Sequence, residues 1–160
     1  MTAPAVSATV TTTPARPVPS PGTVQVTGAL THPFCTTLDQ LRAMPQQTVR
    51  VEFQSDKGSQ HHTEVGVPLA KLIPPTALAT HARKEDLLSF VVLAVGADGY
   101  RAALSYGELS PDFGNKGVLL AITEDGVPLS SPRLIVPGDV KGGRYVTDLT
   151  ELRVSRLGPA

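Results

Sequence analysis

The sequence predicts a mixed α+β domain, mostly β with a few short helices. Two observations predict it. Short apolar runs, Val91–Val95, Val118–Ile122 and Leu134–Val136, alternate with turn dipeptides at Asp98-Gly99, Asp125-Gly126, Pro137-Gly138 and Gly142-Gly143. Runs of that length between such turns form strands and hairpins, because Gly accepts positive φ and Asp caps its own turn. Upstream, Thr48–Gln54 sets Val49, Val51 and Phe53 against Thr48, Arg50 and Glu52, the period of a half-buried strand.

The elements follow in order. Ordered structure starts at Thr23, where Thr-Val-Gln-Val-Thr alternates. Thr37-Leu-Asp-Gln is a capping box opening a short helix that aligns Leu38, Leu41 and Met44, and Pro45 ends it. After the Thr48–Gln54 strand, Ser55–Gln60 is a polar turn and His61–Val67 the returning arm of a hairpin. Pro68–Leu72 begins a second helix, with Pro in the first turn, where its missing N–H costs nothing. Thr76–Leu88 reads equally as a helix start or a loop before the strand Leu88–Val95. The total is about eight to ten strands and two or three short helices. Val51, Phe53, Leu93, Leu119, Leu120 and Ile135 are the expected core.

Composition narrows the function. The chain has 160 residues, enough for one domain, and 41% are apolar. Fourteen basic residues balance fourteen acidic ones, so no long-range field recruits nucleic acid or an anionic membrane. Tryptophan is absent and aromatics are 4%, which removes the stacking platforms of single-strand binders. No stretch approaches the roughly 18 apolar residues of a membrane span, so a soluble chain is expected. The single cysteine, Cys35, excludes an internal disulfide framework and a Cys-rich zinc module; it reads as a small buried hydrophobe or an oxidisable thiol. Residues 1 to 22, dominated by Pro, Ser, Thr and Ala with Arg16 as the one charged side chain, read as a flexible tail ahead of a single domain over residues 23 to 160.

The order of parts in the last third is more specific than the strands. A strand leads to Asp98-Gly99-Tyr100, then Ser105-x-x-Glu108-Leu109, a Leu-Leu-Ala strand, Asp125-Gly-x-Pro-Leu, Arg133-Leu-Ile-Val-Pro-Gly, a Gly-rich loop and a final strand. With Thr37–Pro45 and Gly66–Leu69, this resembles the molybdopterin-binding domain of sulfite oxidase-type oxidoreductases over roughly Thr23 to Leu157. The resemblance implies that fold and a molybdopterin cofactor.

It also implies where activity would be decided. Catalytic members place a cysteine at the end of the Thr48–Gln54 strand, just after a glutamine, as a thiolate ligand of molybdenum; soft sulfur donors suit that metal. Here Gln54 aligns, but Ser55 stands in the cysteine's place. A hydroxyl is a poor ligand, and Ser55 equally serves as a polar hairpin residue. In the loop Pro137–Tyr145, Gly142 and Gly143 let backbone amides approach an anion, while Lys141 and Arg144 supply charge. The family keeps a basic residue where Arg144 lies, but its next basic residue and tryptophan are unmatched by Thr147 and Asp148. Tyr100 and Ser105 align with hydroxyls facing the cofactor edge, although Tyr100 also suits a cross-strand aromatic contact. Asp148 and Glu151 read as surface charges. The cofactor-binding candidates are therefore Ser55, Tyr100, Ser105, Gly142, Gly143 and Arg144.

No catalytic residue and no metal ligand is assigned. Adjacent His61 and His62 point to opposite faces of a strand, so at most one joins any metal cluster with His32 and Cys35. Nucleotide-fingerprint, serine-elbow and zinc-protease motifs are missing. The favoured reading is a pterin- or small-anion-binding module degenerate at the metal-ligand position. The alternatives are a molybdenum-dependent oxidoreductase subunit and a non-catalytic module that binds a redox or scaffold protein. The chain as given shows no signal peptide. Its tail fits a mature periplasmic or secreted protein, on family habit, and fits a cytoplasmic protein as well.

Overall fold

The computed structural model of the chain describes residues 22–158. The expected tail, apart from Gly22, lies outside the described residues. The elements run β1 (Val24–Gly28), β2 (Phe34–Thr36), α1 (Leu38–Ala43), β3 (Gln47–Ser55), β4 (Gly58–Pro68), α2 (Leu69–Leu72), β5 (Phe90–Gly96) and β6 (Arg101–Ser105). Then follow α3 (Tyr106–Leu109), β7 (Leu119–Glu124), β8 (Val127–Ile135) and β9 (Leu149–Arg156). Three 3-10 turns lie at Pro75–Ala77, Asp86–Ser89 and Gly142–Arg144. The fold is the expected mostly-β, α+β class.

The strands form two sheets. One has five strands in the order β2-β1-β9-β5-β6; the other has four, β3-β4-β7-β8. β9 runs parallel to β1 and antiparallel to β5, so the last strand fills the middle of the first sheet. The second sheet sets two hairpins, β3–β4 and β7–β8, side by side through the antiparallel β4–β7 pairing. Asp125 and Gly126, both at positive φ, close the β7–β8 hairpin in a two-residue turn whose twist matches its strands. One continuous apolar cluster holds both sheets, with Phe90, Val92, Leu119, Leu120, Ile135 and Leu152 fully buried.

The local signals act as the residues dictate. Thr37 Oγ1 accepts from the Gln40 amide and Gln40 Oε1 from the Thr37 amide, a complete capping box, and Leu41 is buried beneath it. Ser105 and Glu108 build a second box at α3. A bulge interrupts the β4–β7 ladder between Val65 and Gly66, and an added Cβ at Gly66 would sit 1.9 Å from the Leu120 carbonyl oxygen. Only glycine fits there.

Five boundaries and burials differ from expectation. The polar turn after β3 shrinks to Asp56-Lys57, because the ladder already resumes at Ser55↔Gly58. Pro68 is the N-cap of α2 rather than part of its first turn. Thr76–Leu88 takes the loop alternative, broken by 3-10 turns, but β5 starts at Phe90 rather than Leu88. Leu93 is half-buried, since the inward face of β5 carries Phe90, Val92 and Ala94; the other five expected core residues are buried. Glu151 is buried, accepting from Thr27 Oγ1 at 2.8 Å and Arg153 Nη2 at 2.9 Å, so it is no solvated charge.

Candidate functional site

The Gly-rich loop is laid against the end of β3. The Gln54 amide donates to the Val140 carbonyl at 2.8 Å, and Gln54 pairs with Lys141 as a parallel bridge. Gly142 then packs onto the Phe53 ring so closely that a Cβ there would meet two ring carbons at 2.7 Å. Between the β3–β4 tip and this loop lies a groove of about 570 Å³ lined by Phe53, Gln54, Ser55, Asp56, Arg133, Lys141, Gly142 and Gly143.

Three of the six expected residues, Ser55, Gly142 and Gly143, thus share one concave surface. Tyr100 reaches the same loop, its hydroxyl donating to the Gly143 carbonyl oxygen. Ser105 and Arg144 do not line the groove. The Ser105 hydroxyl is held in the α3 capping box with Glu108. Glu108 in turn accepts from Arg144 Nη1 at 3.0 Å, and Arg144 makes a bidentate pair with Asp139 at 2.7 and 2.8 Å. Lys116 joins them, 3.3 Å from Asp139. Two cations meet two carboxylates. The Arg144 hydrogen bond is the largest cause holding the Asp139 carboxyl below its usual range, while burial raises Glu108 and the Ser105 amide, then Arg144 and Lys116, bring it below its own. The Arg144 charge is therefore spent on shaping the loop.

Ser55 is also spent. Its Oγ donates to the Gly58 carbonyl at 3.2 Å and accepts from the Lys57 amide at 3.2 Å. The hydroxyl closes its own hairpin turn. Such a donor set does not fit a molybdenum ligand at this position. The groove's open cation is Lys141, which makes no ion pair among the described residues; beside it lies the half-buried Arg133, paired with Glu124 but with its Nε lacking a partner.

Behind the groove the four-stranded sheet buries charge. Glu64 lies across the ladder from Val49 and from Glu124, so its side chain shares the inward face with Val51 and Phe53. It is fully buried, and neither carboxyl oxygen finds a donor. Its neighbour Glu124 is another acceptor, so the pair is satisfied only with a proton between the two. Burial pushes the Glu64 carboxyl up to about 8, with Glu124 adding to the shift and Arg133 opposing it. Arg133 Nη1 donates to Glu124 Oε2 at 2.5 Å. The Tyr145 hydroxyl is buried without a partner, its ring 4.4 Å from Phe53, and burial pushes it up to about 12.

Beside this cluster His62 Nδ1 lies 2.7 Å from Asp125 Oδ2 and 3.9 Å from Glu124 Oε1. His61, on the opposite face, stands 3.8 Å from Glu52, as the alternation of a strand requires. The sequence hides this cluster because Glu64 alternates with Val65 and Val67, the positions a period of two sends inward. The Asp125-Gly126 signal announces only a turn.

No protein-family model matches this chain, and no curated protein does. Among solved structures, the sulfane dehydrogenase SoxCD from Paracoccus pantotrophus is similar in fold, with a TM-score of 0.67 at 19% identity. The match covers 83% of this chain but 38% of that one, so this chain spans little more than a third of its length. The chain shares its α+β, mostly-β architecture with part of that sulfane dehydrogenase structure.

Proposed function

We propose that this protein is a non-catalytic module that binds a small anion or a phosphate-bearing pterin in the Ser55–Gly143 groove, without ligating molybdenum. The observation that carries this reading is the state of Ser55. By the sequence resemblance it stands in for a metal-binding thiolate, yet its hydroxyl is consumed by its own turn. The rest of the groove keeps an anion-receiving character. Lys141 and Arg133 outnumber Asp56 on its lining, and Gly142 and Gly143 leave their backbone open to close approach. Tyr100, Ser105 and Arg144 act by fixing that loop. A periplasmic or secreted location belongs to the same reading, and cell fractionation tests it.

The test is purification from a host that makes the molybdenum cofactor, followed by metal and pterin analysis and by calorimetric titration with phosphate and sulfite. The expected result is no stoichiometric molybdenum. Anion binding should weaken by roughly tenfold or more in Lys141→Ala, since a charged hydrogen bond is worth about 1.5–3 kcal/mol. One molybdenum and one pterin per chain with Ser55 intact would replace this reading with the oxidoreductase subunit. A chain that binds neither anion nor pterin would leave the protein-interaction module.

A further inference from the structure

We propose that His62, Glu124 and Asp125 form a binding site for one divalent transition-metal ion of the zinc class. The site opens on a different surface groove from the anion groove, with Arg133 and Phe53 lying between the two. One donor atom from each residue falls within 4.8 Å of the others. An imidazole nitrogen with carboxylate oxygens is a donor set that zinc accepts, whereas magnesium and calcium favour oxygen alone.

The arrangement of the second oxygens supports a site over a chance cluster. Each carboxylate has one oxygen fixed by the protein and the other turned toward His62. Arg133 holds Glu124 Oε2 at 2.5 Å, which leaves Oε1 facing the imidazole. The Thr63 amide holds Asp125 Oδ1 at 2.8 Å, which leaves Oδ2 at His62 Nδ1. Outer partners of this kind orient metal ligands and tune them. The His62 ring is steadied by Phe53, with centroids 5.9 Å apart.

A second observation points to a missing cation. Glu64 is completely buried directly across the ladder from Glu124, and both its oxygens lack a donor. Even with Glu64 holding its proton, the two carboxylates Glu124 and Asp125 are met by one guanidinium, Arg133 on Glu124. A divalent ion balances that excess. Access is open, because a surface groove of about 300 Å³ is lined by His62, Thr63 and Asp125. On binding, zinc takes the place of the proton between His62 Nδ1 and Asp125 Oδ2, and that proton leaves to solvent.

The test uses the full chain carrying Cys35→Ser, so that the free thiol contributes nothing, titrated with ZnCl2 against a chromophoric chelator, with MgCl2 in parallel. The expected result is one zinc per chain and a raised thermal midpoint, with no comparable response to magnesium. Asp125→Asn is the informative variant. Asparagine tolerates the left-handed backbone at this position, φ +52°, and can keep the Thr63 contact while losing the carboxylate. It and His62→Asn should each weaken zinc by about tenfold or more, while His61→Asn leaves binding intact. The proposal is overturned by substoichiometric zinc, by magnesium binding as tightly, by unchanged affinity in Asp125→Asn, or by an equal loss in His61→Asn.

Discussion

Along the five-stranded sheet the inward face of β5 is apolar throughout, and the buried ion pair at the end of β9 is matched atom for atom. Asp86 accepts from Arg156 Nη2 at 2.6 Å and from the His81 amide at 2.7 Å, and these hold its carboxyl down to about 2. The four-stranded sheet is built on the same hairpin principles, yet it buries Glu64 without a donor and leaves Arg133 Nε and Tyr145 Oη without partners. An unpaired buried polar group costs about 1–3 kcal/mol, and more when charged. The first sheet holds the fold; the second carries unspent polar groups, and both candidate ligand sites lie on it. Stability and binding are divided between the two layers.

The largest effect is expected from truncating the apolar sheet. Phe90→Ala removes a fully buried ring and should cost about 3–5 kcal/mol in urea unfolding. A loss below 1 kcal/mol would show that the five-stranded sheet is not the stabilising layer.

The next effect has the opposite sign. Folded Glu64 keeps its proton up to about pH 8, whereas in the unfolded chain it releases it near 4.5. Between those values the unfolded state binds fewer protons. Stability therefore falls as pH rises through that window. Glu64→Gln should flatten this slope and be more stable than the parent at pH 8 by about 1–3 kcal/mol, measured in chelator so that metal does not intervene. A parent whose stability rises from pH 5 to 8 would contradict the burial of an unpartnered acid.

The smallest effect sharpens the boundary between the layers. α1 packs on β4 and β7 and is opened by Thr37. Thr37→Ala should cost about 1 kcal/mol, the usual worth of an N-cap, without altering anion or zinc titrations. A change in either titration would tie the sites to α1.

Much of this fold is legible in the sequence, and the reason is local. Asp98-Gly99 and Asp125-Gly126 fix turns whose chemistry concerns a few residues, and Thr37 with Gln40 fixes a helix start. The groove is half legible. Ser55 and the Gly142-Gly143 pair line one groove, but Arg144 reads as a free charge because Asp139 and Glu108 reach it only through the folded loop. Glu64 is not legible at all. Its face is set by cross-strand pairing with Val49, and alternation within β4 alone sends it to solvent.

The position of β9 has a consequence for how the molecule is made. β1–β2 and β5–β6 are completed early in synthesis, but each remains a separate ribbon until Leu149–Arg156 arrives to pair with both. Until then two strand edges are open, the surfaces on which unfinished chains stick to one another. The β3–β4 and β7–β8 hairpins need no such wait. Assembly should therefore start on the sheet with the unmatched charges and finish on the apolar one, with its slow step the long-range insertion of β9.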